Sequence, residues 1–136
     1  MDELELSPKQ AWERLVRSSS TRLVDVRTNA EWKYVGEPDV TSTGRDLVKV
    51  SRHLLPDMRL NPDFLDQLRG AVRPDDTLLF LCRSGGRSLA AAKAAKGAGM
   101  KESYSVAGGF EGDLDENGQR GNKAGWKYQE LPWRQI

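Results

Sequence analysis

Hydrophobic residues along this chain fall into short continuous runs that are separated by polar, turn-forming stretches. The most apolar run, "TLLFL" (77–81), is typical of a strand at the centre of a parallel sheet. Three further runs predict strands, namely "RLVDVR" (22–27), "LVKVS" (47–51) and "SYSVA" (103–107). The residues from Gly108 onward are expected to form loops and turns.

Helical spacing or strong helix formers between these runs predict helices at 6–18, 29–35, 61–72 and 87–99. Ser7 is the expected N-cap of the first helix, because a proline follows it and Gln10 stands at the capping-box position. Asn61 also precedes a proline, and Asn29 is the expected cap of the short second helix. Since strands alternate with helices, the sequence predicts an α/β fold with a mostly parallel central sheet.

The composition is that of an ordinary soluble globular domain, with 38% hydrophobic and 30% charged residues among 136. The net charge of +1, from 21 basic and 20 acidic residues, predicts neither nucleic-acid nor membrane partners, because both require a one-sided field. The opening "MDELELSPKQ" lacks the basic and apolar regions of a secretion signal, so we expect a cytoplasmic protein.

Cys82 is the only cysteine of the chain, and His53 is the only histidine. A single cysteine excludes an intramolecular disulfide and a paired redox motif, and we expect neither a metal site nor a cofactor. We expect His53 to lie at the surface or to be satisfied by ordinary contacts. Cys82 directly follows the 77–81 run, which places it at the carboxyl end of a strand, where open α/β sheets bind ligands.

The residues after Cys82, "RSGGR" (83–87), are suited to binding an anion. Two adjacent glycines allow the backbone to curl until successive N–H groups converge, and the following helix adds its unpaired amides. Arg83 and Arg87 supply forked donors for an oxyanion. The same field favours a thiolate, which predicts group transfer from an anionic donor to sulfur. A lone cysteine after a strand can also be a small buried hydrophobe, but the flanking arginines and glycines favour the chemical role.

Three segments, in order along the chain, resemble the signatures of the rhodanese family of sulfurtransferases. They are the thiol loop "CRSGGRS" (82–88), the strand end "LVDVRTNAEW" (23–32) and the stretch "YSVAGGFEG" (104–112). The resemblance runs from about Leu4 to Trp133. It implies a single domain over residues 1–136, with a mostly parallel sheet of about five strands and helices on both faces.

The resemblance also implies a mechanism in which Cys82 accepts a sulfane sulfur from thiosulfate or a similar anion and becomes a persulfide. A thiol or cyanide would then remove the sulfur, and a protein could act as donor or acceptor instead. Arg83 and Arg87 would hold the sulfonate of the donor. The persulfide would be stabilised by the backbone amides of Ser84, Gly85, Gly86, Arg87 and Ser88.

The number of residues in the thiol loop bears on the reaction class. Four residues separate Cys82 from Arg87, as in the sulfur-transferring members, whereas related phosphatases and arsenate reductases carry one residue more. The shorter loop favours a single sulfur atom over a tetrahedral phosphate. The resemblance further implies a scaffold at this site, in which Arg27 pairs with Glu31 and Asp25 bonds to loop backbone.

Three regions depart from the family pattern or imitate another motif. Residues 36–60 are longer and more polar than the segment they replace, although Tyr34 and Val35 before them are expected to pack inward. The polar insertion 113–124 imitates a calcium loop, but Ala124 stands where the final glutamate is needed, so we predict a turn or hairpin at "ENG". The aromatic tail is expected to cover the sheet with Trp126, Tyr128 and Trp133.

Three functions remain open at this stage. The favoured one is an enzyme that transfers sulfur through Cys82. A persulfide carrier that serves a protein partner would use the same loop. A non-catalytic binding module is the third, although such modules commonly lose the cysteine that this chain retains.

Overall fold

A five-stranded sheet lies at the centre of the computed structural model, which describes residues 3–135. The strands are β1 Glu5–Leu6, β2 Thr21–Asp25, β3 Glu37–Pro38, β4 Val48–Lys49, β5 His53–Leu54, β6 Arg59–Leu60, β7 Thr77–Leu81, β8 Ser103–Val106 and β9 Trp133–Arg134. The α-helices are α1 Pro8–Arg17, α2 Asn29–Tyr34, α3 Phe64–Ala71 and α4 Gly86–Gly97, and a 3-10 turn covers Thr41–Thr43. The predicted α/β class is confirmed.

The central sheet has the order β1-β8-β7-β2-β4, and each neighbouring pair is parallel. β7 occupies the middle, as its apolar sequence predicted. β1 was not predicted, because two residues are too short for a recognisable pattern. The two-residue strand β9 was not predicted either, since the residues from Gly108 onward were expected to form loops and turns. In a parallel sheet all carboxyl ends lie at one edge, so the segments after β2, β4, β7 and β8 meet there.

Both faces of the sheet are covered by helices, as predicted. On one face, α3 and α4 contribute Phe64, Leu68 and three buried alanines to the first core cluster. On the other face, α1 packs beside Phe110 and Trp126. The alanines of α4 suit a central position, because their small side chains allow the helix to pack closely against the sheet.

The N-caps observed for α2 and α3 differ from the predicted ones. Ser7 and Gln10 form the expected capping box of α1. The N-cap of α2 is Thr28 instead of Asn29, because the Thr28 hydroxyl accepts the amide proton of Glu31 at 3.4 Å. Asn61 does not cap α3 directly; its side-chain oxygen accepts from the amide of Asp63, two residues on, at 3.0 Å. Within residues 3–135, no helix is long and apolar enough to cross a membrane.

Besides β4 of the central sheet, residues 36–60 contribute strands to two separate two-stranded sheets. β3 pairs with β9 of the tail, and β5 forms an antiparallel hairpin with β6. Tyr34 does not pack inward, since 72% of its surface is exposed, whereas Val35 contacts the core as predicted. The hairpin β5–β6 follows β4, so it stands at the edge where the parallel strands end.

The polar insertion 113–124 contains the predicted turn but no hairpin, since no strand is found in this part of the described chain. Gly118 donates its amide to the carbonyl of Asp115 at 3.0 Å, and the Asp115 carboxylate accepts from the amides of Asn117 and Gln119. The side chain of Asp115 therefore stabilises this turn by accepting hydrogen bonds from its backbone.

The aromatic tail covers the core only in part. Trp126 is fully buried, and its indole nitrogen donates to the carbonyl of Pro132 at 2.7 Å. Tyr128 and Trp133 remain 48% and 41% exposed. Trp133 nevertheless meets the edge of Phe110 with ring centroids 6.1 Å apart. The predicted covering role is thus correct for Trp126 and incomplete for the other two.

An ion pair between Asp25 and Arg27 lies fully inside the protein, with 0% side-chain exposure for each. Arg27 donates through Nη2 to Asp25 Oδ2 at 2.7 Å and to the carbonyl of Gly36 at 2.8 Å. The Phe110 ring lies 4.4 Å from its guanidinium carbon. The implied pairing of Arg27 with Glu31 is therefore wrong, whereas Asp25 does bond to loop backbone, since its Oδ1 accepts the amide of Arg27 at 3.1 Å. Residues two apart at a strand end share one side, which favours the local pair.

Replacing Asp25 with alanine should lower the free energy of unfolding by about 3–5 kcal/mol, because Arg27 would keep a buried charge without its partner. Urea denaturation measures this loss. Glu13→Ala is the control, because it removes an exposed pair with Arg17 and should cost at most about 1 kcal/mol. Equal losses in the free energy of unfolding would contradict the prediction that the buried pair contributes more stability than the exposed pair.

Candidate functional site

The sulfur of Cys82 lies in a cradle formed by the start of α4. Its Sγ accepts the amide protons of Gly85 at 3.1 Å and of Ser88 at 3.3 Å. Cys82 is only 1% exposed, so little water competes for these bonds. Amide donors at a helix N-terminus stabilise negative charge, and this arrangement suits a thiolate or persulfide. Of the amides predicted to converge, these two contact Sγ in the described structure.

Gly85 has a backbone conformation that explains the glycine pair. It is the N-cap of α4 with φ of 115°, a left-handed conformation that side chains disfavour. Gly86 begins the helix itself and is exposed. The turn at Gly85 therefore brings the first amides of α4 toward the end of β7, as the sequence predicted.

A buried chain of hydroxyl groups extends from the sulfur into the sheet. Ser88 Oγ lies 3.3 Å from Cys82 Sγ, 3.1 Å from the carbonyl of Gly85 and 2.7 Å from Ser105 Oγ. Ser88 has one hydroxyl proton and cannot donate to all three neighbours at once. If the sulfur is a thiolate, Ser88 must turn its proton toward Sγ, and Ser105 can then donate to Ser88. Ser105 thus positions the hydroxyl that contacts sulfur.

Ser105 was missed in the sequence analysis, although a signal was present. Ser103 and Ser105 alternate in β8 and are both fully buried, which is unusual for polar residues in an internal strand. Ser103 is satisfied locally, because its hydroxyl donates to the carbonyl of Met100 at 2.7 Å. Ser105 has Ser88 as its partner, so only the second serine connects to the thiol.

Arg87 and Glu31 form a two-pronged ion pair beside the cradle. Arg87 Nη1 and Nη2 lie 2.8 and 3.0 Å from the two carboxylate oxygens of Glu31. Thr28 donates its hydroxyl to Glu31 Oε1 at 3.1 Å, so the cap of α2 also orients the carboxylate. Glu31 therefore pairs with Arg87 and not with Arg27, the partner that the resemblance implied. Each terminal nitrogen of Arg87 has a second N–H group, and Nε has one more.

The charges at this pair stabilise one another despite partial burial. Burial acts to lower the pKa of Arg87, but the hydrogen bonds and charge of Glu31, followed by the charges of Cys82 and Asp25, raise it overall. Burial acts to raise the pKa of Glu31, but bonding to Arg87 outweighs it and holds this pKa below its ordinary value. Both groups are therefore charged at neutral pH.

Arg83 occupies a different place from Arg87. Its side chain is exposed, while its backbone carbonyl accepts the amides of Glu111 and Gly112 at 2.9 and 3.1 Å. The amide of Phe110 donates to the carbonyl of Cys82 at 2.8 Å. At Gly109, with φ of 62°, any side chain would overlap the Cys82 carbonyl, so only glycine allows this close approach. The turn after β8 therefore clamps the backbone of the thiol loop.

Among residues 3–135, no group of three or more His, Cys, Asp or Glu side chains is arranged to hold a metal ion. His53 belongs to the hairpin β5–β6, lies near Arg87 and is only partly exposed. With Gly85 and Ser88 amides at Cys82 Sγ and Arg87 nearby, the arrangement can support nucleophilic attack by a sulfur anion.

The sequence of this chain is similar to one protein-family model and to several known proteins. The family model described as the STR4 middle domain matches residues 5–136. The uncharacterized protein RP600 of Rickettsia prowazekii is 33% identical over 127 residues, which cover 92% of each protein. Thiosulfate sulfurtransferase 18 of Arabidopsis thaliana is 31% identical over 107 residues, covering 73% of this chain and 71% of that protein.

Two solved structures share the architecture. The crystal structure of Rv0390 from M. tuberculosis has a TM-score of 0.90 at 45% identity and covers 97% of both chains. The polysulfide-sulfur transferase homodimer from Wolinella succinogenes has a TM-score of 0.68 at 23% identity, covering 98% of this chain and 79% of that one. The fold is thus rhodanese-like, as the sequence resemblance implied.

Ser105→Ala should slow the sulfur transfer that the sequence resemblance implies, because Ser88 would lose the buried partner that orients its hydroxyl toward sulfur. We expect a loss of stability of about 1–2 kcal/mol together with a fall in kcat. Ser103→Ala is the matched control: it removes a buried hydroxyl from the same strand but should leave turnover unchanged. Steady-state kinetics and urea denaturation measure the two effects. Equal turnover in both variants would contradict the positioning role of Ser105.

The Glu31–Arg87 pair should make stability depend on pH. The pKa of Glu31 is lower in the folded than in the unfolded protein, so its stabilisation is complete above the unfolded pKa and is lost as pH falls through the folded pKa. Melting temperatures of the wild type and Glu31→Gln should therefore differ near about pH 7, and the gap should narrow as pH falls below the unfolded pKa of about 4.3. A constant gap across this range would refute the ion-pair contribution.

Proposed function

This chain belongs to the family of the STR4 middle domain, and on that basis we propose that it transfers a sulfane sulfur through a persulfide on Cys82. The donor is an anion such as thiosulfate, and the acceptor is a thiol or cyanide. The observation that carries the proposal is the pair of amide bonds to Cys82 Sγ from Gly85 and Ser88. These donors favour a sulfur anion over a neutral thiol.

In the first half-reaction, the Cys82 thiolate attacks the outer sulfur of thiosulfate. The new bond joins Sγ to that sulfur, and the bond to the sulfonate breaks, so sulfite leaves with the electron pair. The product is a persulfide anion on Cys82, and charge is conserved. In this step Arg87 uses the N–H groups that Glu31 leaves free to bind the sulfonate, and Arg83 folds over the rim from its exposed position.

The persulfide would place its outer sulfur at the mouth of the cradle. The amides of Gly85 and Ser88 already contact Sγ, and we assign the outer sulfur to the remaining amides of the loop, those of Ser84, Gly86 and Arg87. The four-residue spacing between Cys82 and Arg87 favours this compact anion over phosphate.

In the second half-reaction, an acceptor thiolate or cyanide attacks the outer sulfur of the persulfide. The sulfur–sulfur bond breaks, and Cys82 leaves as the thiolate that began the cycle. Because Cys82 is the only cysteine, the acceptor must come from outside the chain. The cytoplasmic location predicted from the sequence suits this exchange, since that compartment keeps small thiols reduced.

Incubation of the reduced protein with thiosulfate should add one sulfur atom to its intact mass. Cyanide or a small thiol should then remove that atom. Cys82→Ser, which keeps a similar volume but lacks the thiol, should gain nothing and should remain folded. Electrospray mass spectrometry measures the change.

No mass gain in the wild type would contradict the use of thiosulfate as donor. It would favour the alternative function, a carrier or binding module that receives its sulfur or its signal from a protein partner. A gain in Cys82→Ser would refute Cys82 as the nucleophile.

A further inference from the structure

A cavity of about 190 Å³ lies beside the Glu31–Arg87 pair and has no role in the mechanism above. Its walls come from segments that follow the neighbouring strands β2 and β4. Thr28 connects the cavity to the site, because its side chain lines the cavity and its hydroxyl bonds to Glu31. Thr28 therefore contacts both the cavity and the Glu31–Arg87 pair.

Among the described residues that line this cavity, Arg59 carries the only charged side chain. Arg59 has 60% of its side chain exposed, and its contact with Asp57 is 3.6 Å long, too long for a hydrogen bond. His53 also lines the cavity. Burial, followed by the charges of Arg87 and Arg52, lowers the pKa of His53, so the ring is neutral at pH 7 and offers one N–H donor.

One buried polar atom at the cavity lacks a partner in the described structure. His53 Nδ1 is shielded from solvent and has no hydrogen bond to residues 3–135. Asn29 also lines the cavity, and it is exposed. Buried polar atoms normally find a partner, so a ligand with acceptor oxygens fits this place. Leu55 adds an apolar wall to the cavity.

We propose that this cavity is an acceptor subsite that selects small thiols carrying a carboxylate. Arg59, His53 and Asn29 bind the carboxylate, and Leu55 contacts the carbon chain between the two ends of the molecule. The thiolate end attacks the outer sulfur of the persulfide, and the Cys82 thiolate leaves. This inference rests on the proposed sulfurtransferase function and names the chemical class of its acceptor.

The apolar wall distinguishes this subsite from a site for thiosulfate. Thiosulfate has no carbon chain, and its sulfonate is assigned to Arg87 and Arg83 on the thiol loop. A carboxylate joined to a thiol by a short carbon chain has both the charge and the apolar surface that the cavity offers.

Binding can be tested without sulfur transfer, because the chain contains one histidine and its imidazole gives one NMR signal. Cys82→Ser is titrated with 3-mercaptopropionate, with the neutral 2-mercaptoethanol as comparison at the same pH. We expect a saturable shift of the His53 signal with the first and none with the second. Arg59→Gln should weaken binding about fivefold, as expected for one exposed charge contact.

Arg73→Gln is the matched control, since Arg73 precedes β7 at the opposite edge of the sheet and loses the same charge. It should bind 3-mercaptopropionate like the parent protein. Equal shifts with both thiols, or none with either, would overturn the subsite whether or not the protein transfers sulfur.

Measuring the two half-reactions separately then shows whether the cavity binds the donor or the acceptor. Arg59→Gln should slow sulfur removal by 3-mercaptopropionate about fivefold, with removal by 2-mercaptoethanol and loading by thiosulfate unchanged. Slower loading in this variant would overturn the acceptor assignment and assign the cavity to the donor. Failure of the wild type to form a persulfide would instead refute the proposed function, and the NMR titration would still decide whether the cavity binds anionic thiols.

Discussion

Arg27 carries its charge inside the protein, and a charge is stable there only when hydrogen bonds and an opposite charge surround it. Each of its partners belongs to a different part of the site. Asp25 ends β2, Gly36 begins the path to β3, and Phe110 lies in the turn that clamps the thiol loop. The guanidinium therefore contacts three segments that lie apart along the chain.

The turn that contains Phe110 connects the buried Arg27 to the thiol loop. Phe110 lies against Arg27 with its ring and binds the Cys82 carbonyl with its amide. The backbone of the thiol loop is thus held from behind, while the first amides of α4 face Sγ from the front. Charge on the sulfur is stabilised by fixed dipoles in a place with little water, where such dipoles act most strongly. Arg87 is held at the same place by Glu31.

The sequence by itself determined features that depend on near neighbours along the chain. The apolar run 77–81 became the central strand, Ser7 and Gln10 formed their capping box, and Cys82 lies at a strand end before a tight glycine turn. Each follows from local patterning, because strands, caps and turns are specified within a few residues. The thiol loop is therefore recognisable from the order of its residues alone.

Only the tertiary structure decided which distant groups meet. The resemblance implied Arg27 as the partner of Glu31, and the pairing with Arg87, 56 residues away, depends on the fold that brings the two side chains together. Ser105 reaches Ser88 because β8 lies beside β7 in the sheet, and the cavity near His53 exists because two loops meet beyond β2 and β4. Such contacts join residues far apart along the chain, so they depend on the order of the strands in the sheet and not on local sequence patterns.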